Sequence, residues 1–378
     1  MIQNPGILIT VVGFALVIGP LIFVHEMGHY LAGRLFGTKV DAFSIGFGPE
    51  LVGWTDRRGT RWKISVFPLG GYVKFAGDMN AASEPDPAWI ELPPEERAMT
   101  LPGKPVWQRF IVVAAGPVVN LLLALLILAG FAYAHGEELV APSVIGIVQK
   151  DSAAAKAGLV PGDRIVALGG GAVETYPEIK NAILLHAGER MTVDFIRGGA
   201  RKQVVATIGT EIQRDSFGNE ARTGLLGVGA INASVRPIGL LRAPIVALRE
   251  MRMILGAQFE AIGQIVTGRR SVNELGGPLK IAQYSGQQFS LGLKPVIWFI
   301  AMVSINLGFI NLLPIPILDG GHLFFYAIEA VRRRPVEPHV QEWAFRGGLA
   351  AILALMLLVT FNDLGSFGLW KNLAGLIG

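Results

Sequence analysis

Hydrophobic residues in this chain gather into four long apolar runs, near 7–31, 107–134, 295–318 and 347–360, separated by stretches of a different pattern. A helix needs about 20 such residues to cross the hydrocarbon core of a bilayer, so we read the runs as four spanning helices. Between the first two, residues 43–75 alternate apolar and polar positions around Asp56-Arg57-Arg58-Gly59. That is the pattern of a β-hairpin or small sheet. Residues 80–105, rich in Pro and Glu, predict a loose loop. From about 138 to 232 short strand-like segments surround Gly158-Leu159-Val160-Pro161-Gly162-Asp163-Arg164-Ile165-Val166-Ala167-Leu168 and predict a compact α/β unit. Leu240–Thr267 has helical periodicity broken by charges, which predicts an amphipathic helix on the membrane face, and Glu274–Ile281 reads as a turn into the third span.

The expected organisation is therefore 1–36 as a first span, 37–106 as a loop with its hairpin, 107–135 as a second span and 138–232 as the inserted domain. Residues 236–292 form an interfacial linker, 293–319 the third span, 320–345 a basic loop, 346–364 the fourth span and 365–378 a tail. The fold class is a multi-span α-helical membrane protein with a membrane-associated β-hairpin and an inserted α/β domain. Nine Lys and Arg residues lie between 34 and 106, and Arg332-Arg333-Arg334 follow the third span. By the positive-inside rule these loops are cytoplasmic, which puts both termini and the inserted domain on the other side. The first run has no basic n-region and carries its histidines at its end, so we read it as retained rather than as a signal peptide.

Composition agrees: only 16% of the 378 residues are charged, and mean hydropathy is +0.48. The net charge of +4 is modest and not gathered into one basic tract, which gives no support to nucleic-acid binding. There is no cysteine, so any metal must be held by histidine and carboxylate.

The first span ends in His25-Glu26-Met27-Gly28-His29. In a helix, residues four apart leave the same face, so both imidazoles can share one metal while Glu26 lies beside them to deprotonate a water. A chance match, or two satisfied core histidines, is the alternative. The third span ends in Pro314-Ile315-Pro316-Ile317-Leu318-Asp319-Gly320-Gly321, a broken helix leading to a buried carboxylate. With four spans, the first and third run in the same direction, so His25, His29 and Asp319 reach one depth and one face. Two histidines and a carboxylate meet the three-ligand requirement of catalytic zinc, with a position left for water. His322 is expected beside the site rather than as a fourth ligand, and His135, His186 and His339 as ordinary surface residues.

HEMGH in the first span, AGPVVN in the second and NLLPIPILDGG in the third resemble the site-2 protease family of intramembrane zinc metalloproteases (M50-type). The likeness is to the bacterial branch that acts in the envelope-stress response, and the GLVPGDRIVALGG run is similar to a PDZ domain. The resemblance implies that His25, His29 and Asp319 are zinc ligands, that Glu26 is the general base, and that Asn311 and Asn306 hold substrate backbone or oxyanion. It also implies that the hairpin around Gly70 and Gly71 receives substrate as an added strand, and that the substrate is the membrane span of a single-pass protein. The PDZ-like domain would bind a carboxyl terminus or act as a filter. The chain departs from the family's best-known members, which carry two tandem PDZ domains; it has room for one. A metal-carrying membrane scaffold with a peptide-binding domain, and more remotely a metal-ion transporter, are the other readings.

Overall fold

The structure, a computed structural model, describes residues 5–79, 87–139, 142–214, 220–230, 234–269 and 276–366. It divides into two compact units, one built from 5–128 with 276–365, the other from 129–275. Part of the loop expected at 80–105, Glu274 of the expected turn and nearly all of the 365–378 tail lie outside the described residues.

In chain order, α1 (Ile7–Leu35) carries the HEMGH motif well inside its last turns. It is followed by an antiparallel hairpin, β1 (Val40–Thr55) and β2 (Arg61–Phe75), whose register shifts repeatedly between Val40 and Val52. Asp56 closes the turn by accepting from the backbone N–H of Arg58 and Thr60 and from the Trp62 indole. Those bonds, the indole's first, hold its carboxyl below the usual range. Phe43, Val73 and Phe75 of the hairpin bury against Tyr30 and Val112, which fixes the sheet to α1 and the next span. After a short α2 (Pro94–Arg97) comes α3 (Val106–His135).

The second unit begins with β3 (Glu137–Leu139), β4 (Ile145–Val148), α4 (Ala153–Lys156), β5 (Arg164–Leu168), β6 (Gly171–Ala172) and α5 (Tyr176–Leu184). It continues with β7 (Arg190–Arg197), β8 (Ala200–Thr207), β9 (Gly209–Arg214), β10 (Glu220–Leu225), β11 (Val228–Ala230) and β12 (Ser234–Arg236). A four-stranded sheet β6-β5-β7-β8 and the pair β11-β4 enclose a core around Ile145, Ile165, Ile179, Val193, Phe195 and Leu226. The hairpin β9-β10 and helix α5 go beyond what alternation revealed. The α6 helix (Ala243–Val266) agrees with the periodicity of Leu240–Thr267. His186 is not the ordinary surface residue expected: it is partly buried and pairs with Glu260 of α6 at 3.0 Å.

Asp163, the aspartate of the Pro-Gly-Asp turn, is 1% exposed and accepts from Arg197 Nε at 2.6 Å, Arg197 Nη2 at 2.7 Å and the Val160 N–H at 2.9 Å. Burial raises its pKa, but these donors outweigh burial and hold it below the ordinary carboxylate value. The pair therefore stabilises the unit above pH about 4, and that contribution fades as pH falls through the lower folded-state value. Arg197→Ala would strand the carboxylate. We expect a measurable loss of stability, smaller than that of a fully buried pair because Arg197 is 36% exposed. The check is chemical unfolding of the full chain, followed by proteolysis within 138–232.

The chain then returns to the first unit through α7 (Pro278–Leu291), α8 (Leu293–Leu312), α9 (Asp319–Arg332) and α10 (Pro338–Ser366). Two expectations change here. Only Gly276 and Gly277 remain of the described part of the 274–281 turn, because Pro278 opens a helix whose first N–H groups are met by the buried Asp363 carboxylate of α10. The basic loop expected at 320–345 is largely helical as well: α9 begins at Asp319 itself. It is tied to α3 by Arg109, which pairs with Glu329 at 2.6 Å and lies over the Tyr326 ring.

Among the described residues, four helices are long and apolar enough to cross a membrane: Ile7–Leu35, Val106–His135, Leu293–Leu312 and His339–Gly365. Their outward faces carry large exposed side chains such as Leu8, Leu126 and Leu357, as lipid contact requires.

Candidate metal centre

His25 and His29 stand one turn apart on α1 with their Nε2 atoms 3.2 Å from each other. Asp319 reaches them from the first turn of α9, Oδ2 lying 3.2 Å from His25 Nε2 and Oδ1 3.5 Å from His29 Nε2. Among the described residues these three form a group whose donor atoms all lie within 4.8 Å of one another. Tetrahedral zinc with bonds of about 2.0–2.1 Å holds its ligands about 3.3–3.4 Å apart; the imidazole pair has nearly that spacing, and each imidazole has one Asp319 oxygen within 3.5 Å, so the carboxylate is in reach of an ion they share. Asp319 Oδ2 is buried with no hydrogen-bond donor, and nitrogen and oxygen donors without thiolate suit zinc. The residues fit the metal.

Helix packing places each of these groups. His29 donates from Nδ1 to the Val112 carbonyl of α3 at 2.9 Å, which leaves its Nε2 lone pair facing the cluster. This contact depends on close approach of α1 and α3: a Cβ on Gly28 would meet the Ala115 carbonyl at 2.6 Å, and one on Gly116 would meet His29 Nε2 at 2.2 Å. Asp319 is delivered by the irregular segment 313–318, where Ile317 adopts φ +81°, a strained conformation for a β-branched residue. Glu26, 7% exposed, projects beside the histidines.

The cluster lines a cavity of about 480 Å³ together with Glu26, Gly70, Gly71, Phe47 and Asn311. Gly71 is in tight contact, since a Cβ there would stand 2.6 Å from the Ser44 carbonyl and 2.9 Å from Glu26 Cγ. Asn306 is not among the lining residues. Five positions on a helix turn about 140° away, so Asn306 and Asn311 of α8 face different directions. His322 lines the same cavity but stands outside the ligand group, packed against Phe345 at 4.8 Å between ring centres. In the sequence Asn120, with Gly116 and Pro117, has only a helix-packing role. It is fully buried on α3, and its amide nitrogen lies 3.2 Å from His25 Nδ1. A polar side chain in an otherwise apolar run was the available signal.

An HExxH helix completed by a distant carboxylate, inside a bundle of membrane-grade helices, defines a membrane-embedded metallopeptidase. The sequence model of peptidase family M50 matches residues 13–355, and the chain belongs to that family. It is an integral membrane protein.

Named relatives extend along nearly the whole chain. A protein of Agrobacterium fabrum, named as a candidate zinc metalloprotease, is 45% identical over 361 residues, covering 94% of this chain and 96% of the relative. A similarly named protein of Rhizobium meliloti is 44% identical over the same length, covering 94% and 96%. The metalloprotease MmpA of Caulobacter vibrioides is 35% identical over 398 residues, covering 98% and 99%. Among solved structures, the PDZ domain of an SdrC-like protein from Listeria monocytogenes aligns with 25% of this chain and 93% of its own at 20% identity. Its TM-score is 0.20, too low to bear on the fold, so the PDZ-like reading of 138–232 rests on the residues alone.

Proposed function

We propose that this protein is a zinc-dependent endopeptidase that cleaves the membrane-spanning segments of single-pass proteins, with His25, His29 and Asp319 as ligands and Glu26 as general base. The carrying observation is the convergence of those three side chains, with nearest donor atoms 3.2–3.5 Å apart, beside a buried glutamate and within a substrate-sized cavity. Three protein ligands favour catalysis over the scaffold reading, because structural zinc takes four. Bound zinc supplies the Lewis acidity that makes water nucleophilic near neutral pH. Glu26 takes a proton from the attacking water as its oxygen bonds to the scissile carbonyl carbon. It returns that proton to the amide nitrogen as the C–N bond breaks, so a carboxylic acid and an amine leave.

A substrate helix hides its amides in internal bonds and must unwind to be cut. The β2 residues Gly70, Gly71 and Tyr72 at the cavity wall suit a role in holding such an extended segment, as strand addition does elsewhere. Asn311, also at that wall, suits binding of a substrate carbonyl or oxyanion. The test is cleavage of a single transmembrane helix by the purified full chain in detergent with stoichiometric zinc. Cleavage that survives chelation would contradict the reading.

The basic loops 34–106 and 332–334 support a bacterial inner-membrane orientation with both termini and the 138–232 domain outside the cytoplasm. On that orientation the substrate is one whose outer part a first protease has trimmed, an anti-sigma factor being one such kind. The domain acts as a filter against untrimmed substrates. One contact favours this over peptide capture: the Tyr176 hydroxyl of α5 donates to the Val228 carbonyl at 2.6 Å, capping β11, which otherwise pairs only with β4 among the described strands. Deleting 143–232 should let untrimmed substrates be cut, measured on matched long and short substrates. Continued refusal of the long one would remove the filter role.

A further inference from the structure

Two histidines share the cluster, and each must offer an Nε2 lone pair to a common metal. A neutral imidazole does this only when its proton sits on Nδ1. The Val112 carbonyl secures that state for His29, because an acceptor at 2.9 Å demands Nδ1–H. His25 faces a side chain that can do either, for the Asn120 carboxamide carries a donor and an acceptor at nearly equivalent positions. With the amide nitrogen toward His25 Nδ1, at 3.2 Å, the ring proton would move to Nε2. There it would point at Asp319 Oδ2 and His29 Nε2, each 3.2 Å away, and occupy the space of the ion.

Nothing holds the amide that way round: Asn120 Oδ1 is buried and has no hydrogen-bond partner. A half-turn about the terminal torsion exchanges oxygen and nitrogen without displacing the main chain. That main chain is clamped, since the Asn120 carbonyl accepts from Ser304 Oγ of α8 at 2.8 Å.

We propose that Asn120 is the positioning residue for His25: its carboxamide oxygen accepts from Nδ1–H and so fixes the tautomer that presents Nε2 to the metal. The inference rests on the ligand reading above. It gives the asparagine of the second span a chemical role instead of a packing one, and the two imidazoles then have matched carbonyl acceptors from one helix, α3.

Exchanging donor for acceptor tests it. Asp at 120 has nearly the same shape but only accepts, so Asn120→Asp should hold zinc within about threefold of wild type in chelator competition. Asn120→Ala and Asn120→Leu should lose about 10–100-fold, the usual range for outer-shell partners. An Asp variant as weak as the Ala variant would overturn the proposal. Nitrogen-15 spectra of histidine-labelled, zinc-loaded wild type give an answer that needs no variant to fold: His25 should show a protonated Nδ1, and a bare Nδ1 overturns it. His25→Ala is the control. If that variant kept wild-type zinc affinity, the ligand reading itself would fail, an outcome distinct from failure of Asn120 alone.

Discussion

Glu26→Gln is expected to keep its zinc and lose hydrolysis, by roughly 10²–10⁴-fold for the proton transfer alone. Glutamine has the volume of glutamate, so the close contact of Gly71 with the Glu26 stem and the wall of the cavity should persist. What disappears is the only carboxylate beside the histidine pair, apart from the ligand Asp319, among the described residues lining that cavity. With no base there, water must shed its proton to solvent that the buried position of Glu26 excludes. The measurement is single-turnover cleavage of a transmembrane helix by wild type and variant with equal zinc content. Equal rates would take the base role away from Glu26 and leave the ligand set untouched.

Gly116→Ala should have an effect of similar size by a different route. The new methyl carbon would lie 2.2 Å from His29 Nε2 and 2.6 Å from Cε1, far inside contact distance. The ring cannot simply tilt away, because its Nδ1 is bonded to Val112 on the same helix that carries the methyl. Separating α1 from α3 is opposed by the buried contacts of Tyr30, Phe43 and Val112. We expect His29 to leave the cluster and zinc affinity to fall by about 100-fold or more, beyond what an outer-shell change costs. Chelator competition measures it. Wild-type affinity in this variant would mean that the two helices stand farther apart than described.

What the sequence disclosed follows from which interactions are local. Spans announce themselves because each needs about 20 apolar residues in a row, and HExxH because its geometry lies within one helical turn. The pairing of Asp319 with that motif was legible through span counting, a global constraint that survives ignorance of packing. Helix α7 was not legible: Lys280-Ile281-Ala282-Gln283-Tyr284-Ser285-Gly286 is too polar for a span, and what steadies it arrives from far away. Asp363 caps its start, and Thr10 of α1 packs on Gly286. The start of α9 was hidden for a related reason. Asp-Gly-Gly reads as a turn, yet Asp319 opens a helix, a position at which the dipole of the first turn favours an acidic residue. Asn120 reads as packing in the sequence, together with Gly116 and Pro117, because the side chain it faces, His25, lies on another helix. Asn306 was grouped with Asn311 by resemblance, although helical spacing alone turns the two apart.

One ion held by α1 and α9 together is tested most directly by metal analysis of purified wild type, His25→Ala and Asp319→Ala. We predict about one zinc per chain in the wild type and less than about a tenth of that in either variant, since two remaining ligands do not make a zinc site. Asp319→Ala protein that retains stoichiometric zinc and still cuts a membrane helix would contradict it.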